Sequence, residues 1–76
     1  MTRSAAAATY RQIRRTYIAR QNAGCTIYGS LANAGTFDRE AGRYLRDVCG
    51  ITQPTAADWL DAARALLAYL EANPAA

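Results

Sequence analysis

The sequence predicts an all-α domain, a compact small helical bundle of three main helices and one short middle element. Three observations carry this. Apolar residues recur at helical spacing in three long stretches. Each stretch has its own start and stop residues. And 76 residues suit a single domain spanning residues 1–76. A chain of this length buries only about 60% of its unfolded surface, so its core is marginal unless a partner adds to it. A homodimer or a heterologous partner would supply that addition.

The first helix is expected over residues 4–22, with Ser4 as N-cap ahead of four alanines. At about 100° per residue, Ala6, Tyr10, Ile13 and Tyr17 share one face. Arg11, Arg14 and Arg15 lie on a neighbouring face, with Ile18 among them. An isoleucine inside an arginine patch is either packed on the next element or part of a contact site. Asn22-Ala23-Gly24 is a stop, with Gly24 suited to a left-handed C′ position.

The middle element is a short helix over residues 26–33, with Ile27 and Leu31 one turn apart and Tyr28 beside them. Gly29 weakens it, and Cys25-Thr26-Ile27-Tyr28 also reads as extended. Asn33-Ala34-Gly35 repeats the Asn-Ala-Gly stop. The next helix is expected over residues 37–49, capped by Thr36, with Asp38 and Glu40 in its first turn. Its stripe is Phe37, Ala41, Tyr44, Leu45 and Val48. Arg43 and Asp47 form an i,i+4 pair worth about 0.3–0.5 kcal/mol, and Gly50 closes the helix.

The last helix runs from Pro54 or Thr55 to Ala72. Thr55 and Asp58 have capping-box spacing, and Thr52 is an alternative cap that places Pro54 in the first turn. Ala56, Trp59, Leu60, Ala63, Leu66, Leu67 and Leu70 make a broad apolar face. Tyr69 sits off it and is expected to be exposed.

Charge divides the chain. All nine cations are arginine. Residues 1–37 hold five of them and no acid; residues 38–76 hold four against six acids. The basic half suits nucleic acid or an acidic protein surface. Catalysis has little footing: with no histidine or lysine, no side chain supplies a general base near neutral pH, and Ser4 and Ser30 lack an activating partner. The chain therefore reads as a non-enzyme without a cofactor. Cys25 and Cys49 lie far apart and cannot complete a zinc site. They are expected as buried free thiols in a reducing cytoplasm. No run approaches membrane-spanning length, and residues 4–9 are too short for a signal sequence core.

One stretch carries a motif. Gly50-Ile51-Thr52-Gln53-Pro54-Thr55-Ala56 followed by Trp59-Leu60 resembles the helix-turn-helix of Cro/repressor-type DNA-binding proteins. The resemblance covers residues 42–60. It implies a transcriptional regulator with Thr52, Gln53, Thr55, Ala57 and Asp58 facing the DNA groove. The pattern departs from that family at Arg46, which stands where a small residue lets the two helices approach. It departs again at Asp58 and Asp61, whose carboxylates oppose phosphate. The family's buried set on the first helix would be Gly42, Leu45, Arg46 and Cys49, which is rotated from the stripe.

In size alone the chain is similar to small phage accessory proteins, including anti-CRISPR inhibitors. The leading expectation is a non-enzymatic protein that binds stoichiometrically to a protein or ribonucleoprotein complex handling nucleic acid. Arg11, Arg14, Arg15, Ile18, Tyr28 and Tyr69 are the candidate contact residues. The helix-1 arginines also offer phosphate contacts, and the helix-turn-helix regulator is the alternative.

Overall fold

The computed structural model describes residues 2–23 and 33–73. It is an all-α bundle of three helices, α1 (Arg3–Asn22), α2 (Ala34–Arg43) and α3 (Ala56–Ala72), with a π-helical turn at Tyr44–Val48 that continues directly from α2. The expected short helix over 26–33, with Tyr28 and Cys25, lies outside the described residues, as does Gly24.

The N-cap of α1 lies two residues before the expected one. The Ala5 N–H donates to Thr2 Oγ1 at 3.1 Å, so Thr2 is the N-cap and Ser4 sits in the first turn. Both residues can cap, and capping at Thr2 adds Arg3 and Ser4 to the helix ahead of the alanine run. At the other end Ala23 is extended and Arg20 occupies the last turn, where a cation complements the helix dipole.

Helix α2 corrects a second boundary. Asn33 is a start and not a stop: its Oδ1 accepts the Thr36 N–H at 2.9 Å and the Thr36 hydroxyl at 3.2 Å. Asparagine serves either helix end, and here its backbone is extended, which makes it an N-cap. Thr36 thus lies inside the helix, and Asp38 and Glu40 fall beyond the first turn.

The π-helical turn reshapes the predicted stripe. The Cys49 N–H donates to the Tyr44 carbonyl at 3.2 Å, five residues back. Widening the turn by one residue rotates every side chain after it. Phe37, Ala41 and Leu45 remain buried, at 1%, 0% and 2% exposure, whereas Val48 turns out to 69%. Cys49 is a free and exposed thiol, not a buried one. Gly50 then takes φ +69°, a conformation open to glycine at little cost. This lets the Ile51 N–H fold back to the Leu45 carbonyl at 2.8 Å. The altered spacing also dissolves the expected Arg43–Asp47 pair: Arg43 reaches Glu40 at 3.8 Å and Arg46 reaches Asp47 at 3.4 Å.

Helix α3 begins as its sequence suggests. Asp58 N–H donates to Thr55 Oγ1 at 3.2 Å, and Thr55 N–H donates to Asp58 Oδ2 at 2.8 Å. The box is complete and Thr52 plays no capping part.

Helices α1 and α3 run in the same direction. Thr2, Arg3 and Ala6 share a groove with Pro54, Thr55, Ala56 and Ala57 at one end; Tyr10 meets Trp59 further along; Arg20 pairs with Glu71 at 3.4 Å near the other end. Helix α2 bridges them. Phe37 is held edge-on between Tyr10 and Tyr17, at ring separations of 5.6 and 4.9 Å. Ala41, Leu45 and Ala62 form the centre of the core, with Tyr10, Tyr44, Ile51, Trp59 and Leu66 packed around it. Ala62 lies off the predicted α3 face, yet is fully buried. The face is wider than a single stripe because α3 packs on both α1 and α2. Small residues allow the approach: a Cβ at Gly42 would stand 3.3 Å from the Trp59 Cη2, so glycine seats the indole edge directly on α2.

Candidate functional site

The site begins with α1 positions that share a face at i, i+3, i+4 and i+7. Ala7, Tyr10, Arg11 and Arg14 line one wall of a surface groove of about 410 Å³; Asp38 from α2 and Ala56 and Trp59 from α3 complete it. Its floor is aromatic. The Tyr10 and Trp59 rings meet edge to face, with centroids 6.0 Å apart and planes at 85°, a favourable arrangement for their opposed edge and face charge.

Asp38 organises the polar rim. Its carboxylate accepts the Tyr10 hydroxyl at 2.5 Å and one Arg14 guanidinium nitrogen at 3.1 Å to each oxygen. The Arg14 guanidinium also lies 5.8 Å from the Tyr10 ring centroid, within cation–π reach. Its side chain is 25% exposed. Arg14 is therefore held in place by the fold. Burial, then the hydrogen bond and charge of Asp38, push the Tyr10 phenol well above its ordinary value, with Arg14 opposing. Burial and then Glu40 push Tyr17 up as well. Both phenols stay neutral near pH 7, as donors and ring surfaces and not as bases.

Arg11 and Arg15 differ from their neighbour. Both are exposed, and neither has an ion-pair partner among the described residues. With Arg14 and the half-buried Ile18 they line a smaller groove of about 210 Å³. This second groove shares Arg11 and Arg14 with the first. The first shares Ala56 with a third groove of about 510 Å³ that includes Arg3. Arginines thus recur in the grooves beside α1: Arg3, Arg11, Arg14 and Arg15.

Of the residues singled out from sequence, Arg11, Arg14, Arg15 and Ile18 come together here. Tyr69 is 71% exposed but stands near the end of α3 and lines none of these grooves. Tyr28 lies outside the described residues. Asp38 and Trp59 were not among the predicted contacts. Trp59 could have been suspected as the only tryptophan, because an indole in so small a core rarely has all its edges covered. Asp38 left no local signal, since its partners are 24 and 28 residues away.

The helix-turn-helix positions are placed differently. Thr52, Gln53, Thr55 and Ala57 are exposed. The Asp58 carboxylate is engaged by the Thr55 backbone. Of the set that motif would bury, Leu45 is buried and Gly42 meets Trp59, while Arg46 and Cys49 are exposed.

Among the described residues no three histidine, cysteine, aspartate or glutamate side chains converge as metal ligands, and no helix is long and apolar enough to cross a membrane. Comparison with protein-family models, with curated proteins and with solved structures finds no match. The grooves beside α1 offer an aromatic surface, exposed guanidinium groups and one carboxylate already satisfied from within.

Proposed function

We propose that this chain is a non-enzymatic binding protein that acts stoichiometrically. It presents the arginine-edged side of α1 to a macromolecular complex that handles nucleic acid, in the manner of small phage accessory proteins and anti-CRISPR inhibitors. The observation that carries the reading is the contrast within one helix turn: Arg14 is spent on Asp38, whereas Arg11 and Arg15 stand exposed and unpaired among the described residues beside an aromatic groove. Exposed guanidinium groups next to half-buried apolar surface match the composition of binding hot spots. The test is affinity capture from host lysate, with and without nuclease, using the wild-type chain and an Arg11→Glu/Arg15→Glu variant. Wild type should retain a protein complex in fixed ratio after nuclease, and the variant should lose it. Equal capture by both rejects the assignment to this face.

A second reading, the helix-turn-helix regulator, draws on the exposure of Thr52, Gln53, Thr55 and Ala57 at the start of α3, with Arg3 in the groove that Thr55 and Ala57 line. Duplex DNA binding at two salt concentrations tests it. A regulator binds at low salt with a steep salt dependence and loses sequence preference on Gln53→Ala. Failure to bind duplex at low salt ends that reading.

A further inference from the structure

The open side of α1 carries two apolar points with charge between them. At one, the Tyr10 and Trp59 rings with Ala7 and Ala56 floor the larger groove. At the other, Ile18 lies among Arg11, Arg14 and Arg15. The rise of an α-helix separates Tyr10 from Ile18 by about 12 Å, a little over two turns. Between them Arg11 and Arg15 are exposed, and Arg14 is held by Asp38.

This pattern discriminates between classes of partner. A nucleic-acid strand offers a dense row of phosphates. It would gain nothing from Ile18, and it would meet the Asp38 carboxylate, 44% exposed, on the groove wall. A protein segment can place separate carboxylates opposite Arg11 and Arg15 and apolar side chains where the rings and the isoleucine are. We infer that the partner docks an acidic amphipathic helix along α1, one apolar side chain on the Tyr10–Trp59 groove and another, two turns away, against Ile18. Its intervening carboxylates face Arg11 and Arg15. This is recognition of a helix by a groove, and it names the partner chemistry of the face assigned above, so it rests on that assignment.

The probe is a synthetic helical peptide with two leucines two turns apart, glutamates between them on the same side, and no tryptophan. Trp59 is the only tryptophan of the chain and reports from the groove itself. Titration should give one-to-one binding with a change in Trp59 emission. Arg11→Glu/Arg15→Glu should weaken it about tenfold or more. Ile18→Ser should weaken it separately, and moving the two leucines one turn closer should do the same. These substitutions are at exposed or half-exposed positions, and circular dichroism confirms that the variants remain folded. Absence of binding, indifference to Ile18→Ser, or displacement by an oligonucleotide of equal charge with tighter affinity overturns the acidic helix. If lysate capture is nonetheless abolished by Arg11→Glu/Arg15→Glu, only the partner class has fallen; if capture is indifferent as well, the face has fallen with it.

Discussion

The corner that leads into α3 and the groove beside α1 both rest on α3, and they are held together at different ranges. At the corner the bonds are local: Ile51 folds back on Leu45, and Thr55 and Asp58 cap one another three residues apart. At the groove they span the chain. Tyr10 and Arg14 both reach Asp38, Phe37 sits between Tyr10 and Tyr17, and Trp59 closes the floor. Local bonds set the direction in which the chain leaves the corner. Long-range contacts form only when all three helices are in place, so the groove exists only in the folded protein.

The largest test of this contrast uses two members of one predicted stripe. Phe37 is 1% exposed and Val48 is 69% exposed. Phe37→Ala should cost about 3–5 kcal/mol, a large part of the roughly 5–15 kcal/mol that typically separates folded from unfolded domains. Denaturant midpoints should show a heavily destabilised or unfolded chain. Val48→Ser, at the end of the π-helical turn, should stay within about 0.5 kcal/mol of wild type. A comparable loss at Val48 would mean that the turn does not rotate it outward.

That pair also shows how far the sequence could be read. Periodicity found all three helices, because each buries one face and the spacing is written locally. The capping box at Thr55 was legible for the same reason. What escaped was context. Nothing near Tyr44 announces a wider turn, so a stripe drawn at constant pitch carried Val48 into the core. Asn33 carries both start and stop chemistry, and only its extended backbone decides between them. The arginine patch was visible as composition, but its division into a held Arg14 and exposed Arg11 and Arg15 depends on Asp38, which is distant in sequence. Candidate binding residues can thus be gathered from charge, while the groove between them has to be seen folded.

A smaller effect probes the corner itself. Thr55→Ala removes the acceptor for the Asp58 N–H and leaves the first turn of α3 under-satisfied. The expected cost is about 1 kcal/mol, read as a lowered thermal midpoint, and Thr55→Ser should restore most of it. Because the box is local, the loss should add to that of a groove substitution such as Arg14→Ala without coupling. Strong non-additivity would show that the corner and the groove are one cooperative unit.

The effect of Tyr10→Phe is modest at neutral pH, and it shrinks in alkali. Tyr10→Phe deletes one hydrogen bond to Asp38 while Arg14 still satisfies the carboxylate, so the cost near pH 7 is about 1 kcal/mol. The pH dependence has a definite sign. The Tyr10 phenol is raised above its ordinary value of 10.0 in the folded chain, first by burial and then by Asp38. Above about pH 10 the unfolded chain therefore releases this proton while the folded one retains it. Fewer protons bound in the unfolded state make stability fall as pH rises. The contribution is fully present below about pH 10 and is lost above it. The chain has no lysine, so tyrosines dominate this alkaline limb. Tyr17, shifted the same way by burial and Glu40, supplies a second part. Unfolding midpoints followed from about pH 8 through the phenol range should decline in wild type and decline less steeply in Tyr10→Phe. Parallel curves would mean that Tyr10 is solvated and not enclosed by α2 and α3, and the aromatic floor of the groove would go with it.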